Sequence, residues 1–318
     1  MRLLFITATR IGDAVLSTGL LRHLTEANPG ARVTVAAGRL AAPLFEAVPG
    51  LDRVLVIDKR AFRLHWLELW RQTAPHRWDL AVDLRASMIA YLLPARRRLV
   101  AGRRAADRHR VEELGALLDL DPPPMPTVWL APRHEDAAAR LVPDGGPVLA
   151  LGPAANWLGK QWRAERFAEL ADQLTREDGA LAGARVAVLA AAHERAQAQP
   201  VIDALPAERA IDLVGTVDLL TAAACLRRCR LFVGNDSGLM HLAAAAGVPT
   251  LGLFGPSPEW RYGPRGRCTA YVRTAESVAE LVAHAGPEGQ VAGTLMDGLA
   301  VADAAEAATA LLRRAQSA

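Results

Sequence analysis

The chain is 318 residues long, with 51% hydrophobic and 22% charged residues. That length and balance exclude a disordered chain and predict two domains, each able to bury its own core. A formal net charge of +3 does not call for a nucleic-acid partner, and none is expected. Cys225, Cys229 and Cys268 are too few, and too irregularly spaced, for a disulfide framework or a zinc knuckle, so a reducing compartment is expected.

From the N-terminus, the apolar run at 3–6 is followed by Arg10 and Asp13 too soon for a signal peptide. Apolar runs at 3–6, 33–36, 54–57, 80–84 and 99–101 predict strands. Between the first two, Val15, Leu16, Leu20, Leu21 and Leu24 share one helical face. Strand, helix, strand at this spacing predicts parallel βαβ units with right-handed crossovers. Pro122, Pro123, Pro124 and Pro126 admit neither a helix nor a central strand. A second break at 143–147 precedes a fresh strand, which places the expected boundary between a first domain at 1–143 and a second at 144–318.

The second half repeats the pattern. Strands are expected at 148–151, 186–190, 211–214, 231–233 and 250–254, and helices at 167–174, 196–205, 218–228, 239–246 and 301–314. The longest uncharged stretch, 237–258, is interrupted by Gly247, Pro249, Gly252, Gly255 and Pro256, so it reads as helix, turn and strand rather than a membrane span. The expected fold is α/β: two Rossmann-like, doubly wound parallel-sheet domains facing across a cleft at the carboxyl ends of both sheets. A cytoplasmic protein is expected.

Several familiar sites are absent from the sequence. Gly159–Lys160 is followed by Gln161 where a P-loop needs Ser or Thr, and Gly12 stands alone where a dinucleotide fingerprint needs three glycines. Residues 234–238 do not form a GxSxG elbow, and the eight histidines have no metal-binding spacing, so no metal site is expected. Three strand-to-helix junctions remain. In Thr9-Arg10-Ile11-Gly12-Asp13-Ala14, Gly12 permits a tight turn and Asp13 stands at a helix start, either as a functional carboxylate or as a cap. The loop from Gly152 through Asn156 to Lys160 and Trp162 carries one of only two lysines in the chain, either beside a phosphate or in solvent. In Gly234-Asn235-Asp236-Ser237-Gly238-Leu239-Met240-His241, a helix N-terminus offers backbone N–H groups to an anion, although Asp236 or Ser237 as a cap explains part of the pattern.

Taken in order, Arg10-Ile11-Gly12-Asp13, Lys160-x-Trp162, Asp236-Ser237-Gly238-Leu239-Met240-His241, Leu253-Phe254-Gly255-Pro256-Ser257 and Met296-Asp297-Gly298-Leu299 resemble the ADP-heptose:lipopolysaccharide heptosyltransferases, glycosyltransferase family 9, of GT-B architecture. The resemblance spans nearly the whole chain. It implies an ADP-sugar donor on the second domain and an anionic, lipid-linked glycan acceptor on the first, at the inner-membrane surface, with no cofactor. Asp13 would be the general base, with Gly12 beside it. Lys160 would neutralise the diphosphate and Asp236 would hold the donor sugar. Ser237, Gly238 and His241 would line the diphosphate-binding helix end, and Glu194 would meet the ribose. Some members carry adjacent hydroxyl residues before the lysine. Here Ala154, Ala155 and Asn156 stand there, and only Asn156 keeps a hydrogen-bonding side chain.

These residue types suit inverting glycosyl transfer without a metal, which needs one base for the acceptor hydroxyl and a positive environment for the departing diphosphate. Rival readings are a related transferase with another sugar or acceptor, a protein side chain included, and a sugar-nucleotide-binding scaffold without turnover. Two features bear on the acceptor. Arg96, Arg97, Arg98, Arg103, Arg104, Arg108 and Arg110 crowd one stretch, as a solvated face or an anion dock. Phe62, Trp66, Leu69 and Trp70 share a helical face, as core or as a membrane contact.

Overall fold

The computed structural model describes residues 1–58, 64–102, 107–283, 285–286 and 290–317. The chain divides into two compact units, Met1–Ala131 and Pro132–Ala318.

In the first unit the elements run β1 (Arg2–Ile6), α1 (Ile11–Glu26), β2 (Arg32–Gly38), β3 (Leu51–Ile57), α2 (Leu64–Thr73), β4 (Trp78–Asp83), α3 (Ile89–Leu92), β5 (Ala95–Val100) and α4 (Arg110–Gly115). The strands form one parallel sheet in the order β3-β2-β1-β4-β5. β1 lies in the middle, and Leu3, Leu4, Phe5 and Ile6 are all fully buried, as expected of a parallel strand covered on both faces. Leu4 and Ile6 pack with Leu69 of α2 and with Ile89 and Leu93 at α3, so these two helices share one face of the sheet. The proline run crosses over α1. Thr127 N–H donates to Thr18 Oγ1 at 2.9 Å, and a Cβ on Gly19 would lie 2.2 Å from the carbonyl oxygen of Pro124, so only glycine fits there.

The second unit runs α5 (Pro132–Leu141), β6 (Val148–Gly152), α6 (Ala164–Thr175), β7 (Arg185–Val188), α7 (Arg195–Asp203), β8 (Ala210–Asp212), α8 (Leu219–Arg227), β9 (Leu231–Asn235), α9 (Gly238–Ala245), β10 (Thr250–Phe254), α10 (Glu259–Tyr262), β11 (Thr269–Arg273), α11 (Val278–Ala283) and α12 (Val301–Ser317). Its sheet is also parallel, in the order β11-β10-β9-β6-β7-β8. Phe167, Leu170 and Leu174 of α6 pack with Ala304, Ala308 and Leu311 of α12 over the buried side chains of β6, β9 and β10.

The units meet at 131/132, not at the expected 143/144. α5 belongs to the second unit: Glu135 pairs with Arg227 at 3.5 Å, and Arg228 donates to the Val142 carbonyl at 2.5 Å and to Asp144 at 2.7 Å. The glycines of the 143–147 break, Gly145 and Gly146, have positive φ and make the turn from α5 into β6. In each sheet the strand order reverses once, between β1 and β4 in the first unit and between β6 and β9 in the second. Ligands of open α/β sheets bind at the carboxyl ends of strands flanking such a point.

Candidate active site

In the second unit the loops that leave β6 and β9 lie on either side of the switch point, and a salt bridge joins them. Lys160 Nζ donates to Asp236 Oδ2 at 2.6 Å, with Asp236 buried and the lysine side chain one-quarter exposed. Asp236 therefore does not cap α9. Ser237 is the N-cap residue by backbone conformation, but its side chain makes no capping bond. Its buried Oγ has no hydrogen-bond partner among the described residues, and the same holds for Ser257 Oγ on the loop after β10. Gly238 opens α9, and His241 sits buried in its first turn. A compact cation, an unused hydroxyl and the unsatisfied amides of a helix start thus converge at one sheet edge, an arrangement suited to a polyanion.

The Lys160 loop is held from several sides. Asn235, fully buried at the end of β9, accepts from Trp162 N–H at 3.1 Å and donates through Nδ2 to the Pro153 carbonyl at 2.7 Å, clamping both ends of the loop. Gln197 of α7 accepts from Ala155 N–H at 3.1 Å. From the C-terminal side, Leu295 N–H donates to the Gly159 carbonyl at 3.0 Å, Trp162 Nε1 donates to the Leu299 carbonyl at 3.0 Å, and Arg163 grips Asp297 through two bonds of 2.5 and 2.6 Å. The segment 295–299 therefore braces the lysine loop. Sequence reasoning missed Asn235, because a polar residue ending an apolar strand reads as the start of the next loop.

Asn156 is exposed on this loop. Glu194 lies in a short 3₁₀ turn beyond β7, and its Oε2 accepts from Ala191 N–H at 2.9 Å, so at least one of its oxygens is engaged locally. Burial pushes the thiols of Cys225 and Cys229 up to about 11 and about 12, which disfavours their thiolates. Among the described residues, no group of three or more His, Cys, Asp or Glu is arranged to hold a metal ion.

In the first unit, Asp13 is the third residue of α1, half-buried on its first turn. Arg10, not Asp13, occupies the N-cap position, and its side chain makes no capping bond, so the capping reading of Asp13 fails. Gly12 lies within the helix rather than in a tight turn before it. Across the β1/β4 switch point, buried Asp83 accepts from Arg85 N–H at 2.9 Å and from Ser87 N–H and Oγ at 2.8 and 2.6 Å. Burial outweighs these bonds and pushes its carboxyl above the usual range.

The arginine cluster divides. Arg98 donates to the carbonyls of Ala90 and Leu93, and Arg110 is buried against Glu113 at 2.7 Å, so both are structural. Arg96 and Arg97 are exposed on β5, whereas Arg103 and Arg104 lie outside the described residues. Of the proposed aromatic face, Leu69 is core, Trp66 packs beside it, Trp70 is exposed, and Phe62 lies outside the described residues.

The profile of glycosyltransferase family 9 (heptosyltransferase) matches residues 66–286. The chain belongs to that family. Lipopolysaccharide heptosyltransferase 2 of Salmonella typhimurium is 25% identical over 299 residues, covering 81% of this chain and 83% of that one. Among solved structures, the family 9 glycosyl transferase of Veillonella parvula superposes with a TM-score of 0.79 at 22% identity, covering 98% of this chain and 97% of the other. The Escherichia coli ADP-heptose LPS heptosyltransferase II superposes with a TM-score of 0.77 at 22% identity, covering 99% and 100%. The two parallel-sheet units are thus the expected GT-B fold of a family 9 enzyme.

Proposed function

We propose that this family 9 enzyme moves a heptose from ADP-heptose to the core of lipopolysaccharide, inverting the anomeric centre and using no metal or other cofactor. The first unit takes the lipid-linked acceptor and the second takes the nucleotide sugar, in a cytoplasmic enzyme that works at the inner-membrane surface. The observation that carries this reading is the Lys160–Asp236 pair beside the unpartnered Ser237 hydroxyl at the start of α9. A diphosphate seated there draws Lys160 Nζ to its oxygens and takes the Ser237 hydroxyl and the first-turn amides of α9 as donors. Asp236, released from the lysine, accepts from a hydroxyl of the donor sugar.

In the reaction, Asp13 takes the proton from the acceptor hydroxyl as its oxygen attacks the anomeric carbon. The bond from that carbon to the diphosphate breaks, its electron pair leaves with ADP, and Lys160 and the α9 amides hold the added charge. Gly12 and Asn156 line the two substrate sites, with His241 beside the diphosphate and Glu194 facing the ribose. The similarity to a lipopolysaccharide heptosyltransferase and to an ADP-heptose LPS heptosyltransferase supports this choice of acceptor and donor.

Incubation with ADP-heptose, a core acceptor and EDTA tests the proposal. It predicts stoichiometric ADP release and an inverted anomeric centre by NMR. Retained configuration, or a requirement for added divalent metal, overturns the mechanism. A thermal-shift series is the companion test for the nucleotide. ADP at about 100 times its Kd should add roughly 2.7 kcal/mol, and stabilisation by UDP but not by ADP would redirect the donor assignment.

A further inference from the structure

The first unit presents an apolar surface that its own core does not use. Leu64 and Leu67 of α2 point away from the sheet, and Trp70 lies one turn further along the same side. Trp70 Nε1 donates to the Leu92 carbonyl at 3.3 Å, so this stripe adjoins α3, where Met88, Tyr91 and Leu92 also face solvent. These six side chains are between 38% and 69% exposed, a concentration that a monomeric surface rarely shows without a partner.

Arginines outnumber carboxylates around the patch, where Arg71, Arg96 and Arg98 stand against Asp79 and Glu68. Arg71 follows Trp70 and is exposed. Arg98 pairs in register with Ala81, a core residue on the face covered by α2 and α3, and its guanidinium rests on the carbonyls of Ala90 and Leu93 at the patch edge. Arg96 stands two residues earlier on the same face of β5, largely exposed and 3.8 Å from the Asp79 carboxylate. Glu68 of α2 is exposed, accepts from Gln72 Nε2 at 2.7 Å, and lines a small cavity with Leu55, Val56 and Asp58. Asp83, at the end of β4, is buried. Apolar side chains with a Trp and a Tyr inside a net-positive rim match an anionic bilayer: the rings and leucines enter the headgroup boundary, and the arginines meet lipid phosphates. Among the described residues no helix is long and apolar enough to cross a membrane, so any attachment by this patch lies on the surface.

We propose that the α2/α3 face docks the first unit on an anionic lipid surface. This rests on the reading that the acceptor is lipid-linked, but its test does not depend on transfer activity. Sedimentation of the full chain with phosphatidylglycerol/phosphatidylethanolamine vesicles should show salt-sensitive binding, and phosphatidylcholine vesicles should bind far less. The double variant Tyr91→Glu/Leu92→Glu should lose at least about tenfold in vesicle affinity with an unchanged melting temperature. Arg71→Glu/Arg96→Glu should lose a similar factor and most of the salt dependence. Transfer to a detergent-dispersed acceptor should be untouched in Tyr91→Glu/Leu92→Glu, and its absence from the wild type would count against the proposed function alone. Wild-type binding that is absent, equal on both lipids, or unaltered by Tyr91→Glu/Leu92→Glu overturns the docking surface. A wild-type dimer that dissociates in that variant would instead assign the patch to a second copy of the chain.

Discussion

Asn235→Ala isolates the scaffold beneath the proposed diphosphate site. The substitution removes both bonds of a fully buried amide and leaves the Trp162 N–H and the Pro153 carbonyl without their partner. Each buried group left unsatisfied costs about 1–3 kcal/mol, so with two such groups the second unit should lose about 2–6 kcal/mol. For a domain of this size, about 1 kcal/mol corresponds to roughly 2–4 °C, so its melting temperature should fall by at least about 4 °C. The same change frees both ends of the Lys160 loop, and ADP affinity should drop about tenfold or more as the ammonium loses its fixed position. Asn235→Asp should do no better: it keeps an acceptor for Trp162 but sets a carboxylate against the Pro153 carbonyl. Gln197→Ala, which removes one bond from the same loop, should cost less than either. Calorimetry and titration with ADP read both effects. An alanine variant that melts with the wild type and binds ADP as tightly would refute the clamp.

Lys160→Ala should weaken ADP binding and slow transfer, and Lys160→Arg should restore only part of each, because a planar fork does not replace a point charge in a tight loop. Isothermal titration and initial rates check this. Asp297→Asn tests the brace from the C-terminal side. The bond from Arg163 holds the Asp297 carboxyl below its ordinary range, so this stabilisation is present above that range and is lost as pH falls through the lowered value. The variant should therefore melt slightly below the wild type at neutral pH, with the gap closing in acid. Both side chains are about half exposed, so the gap should be small.

Much of the fold was readable from period and punctuation. Ten of the strands follow from short apolar runs between helical patterns: the central ones, buried on both faces, carry continuous apolar sequence, whereas the edge strands β5 and β8 are marked only where a short apolar run overlaps their ends. β11 was missed: Thr269–Arg273 is an edge strand of half-buried and exposed residues, with no apolar run to mark it. α5 was missed because its buried side chains reduce to His134 and Ala138, too little to draw an amphipathic stripe, and the boundary was therefore placed at the next glycine-rich turn. At the site, the motifs named the lysine, the aspartate and the serine. They did not show that Asp236 answers Lys160 rather than capping α9, since that contact joins residues 76 apart in the chain. Asn235 was invisible for the same reason. Its two partners lie in a loop that meets β9 only when the sheet closes.

Asp13→Asn tests the catalytic account most directly. The side chain stands in the first turn of α1 without holding the cap, so losing its charge should cost at most about 1 kcal/mol of stability through the helix dipole. As the base that deprotonates the acceptor hydroxyl, it should cost about 10²–10⁴ in turnover. The measurement is kcat for heptose transfer beside the Kd for ADP-heptose in the same variant. The account predicts a collapse of kcat with the donor Kd unchanged. Near-normal turnover in Asp13→Asn would contradict it.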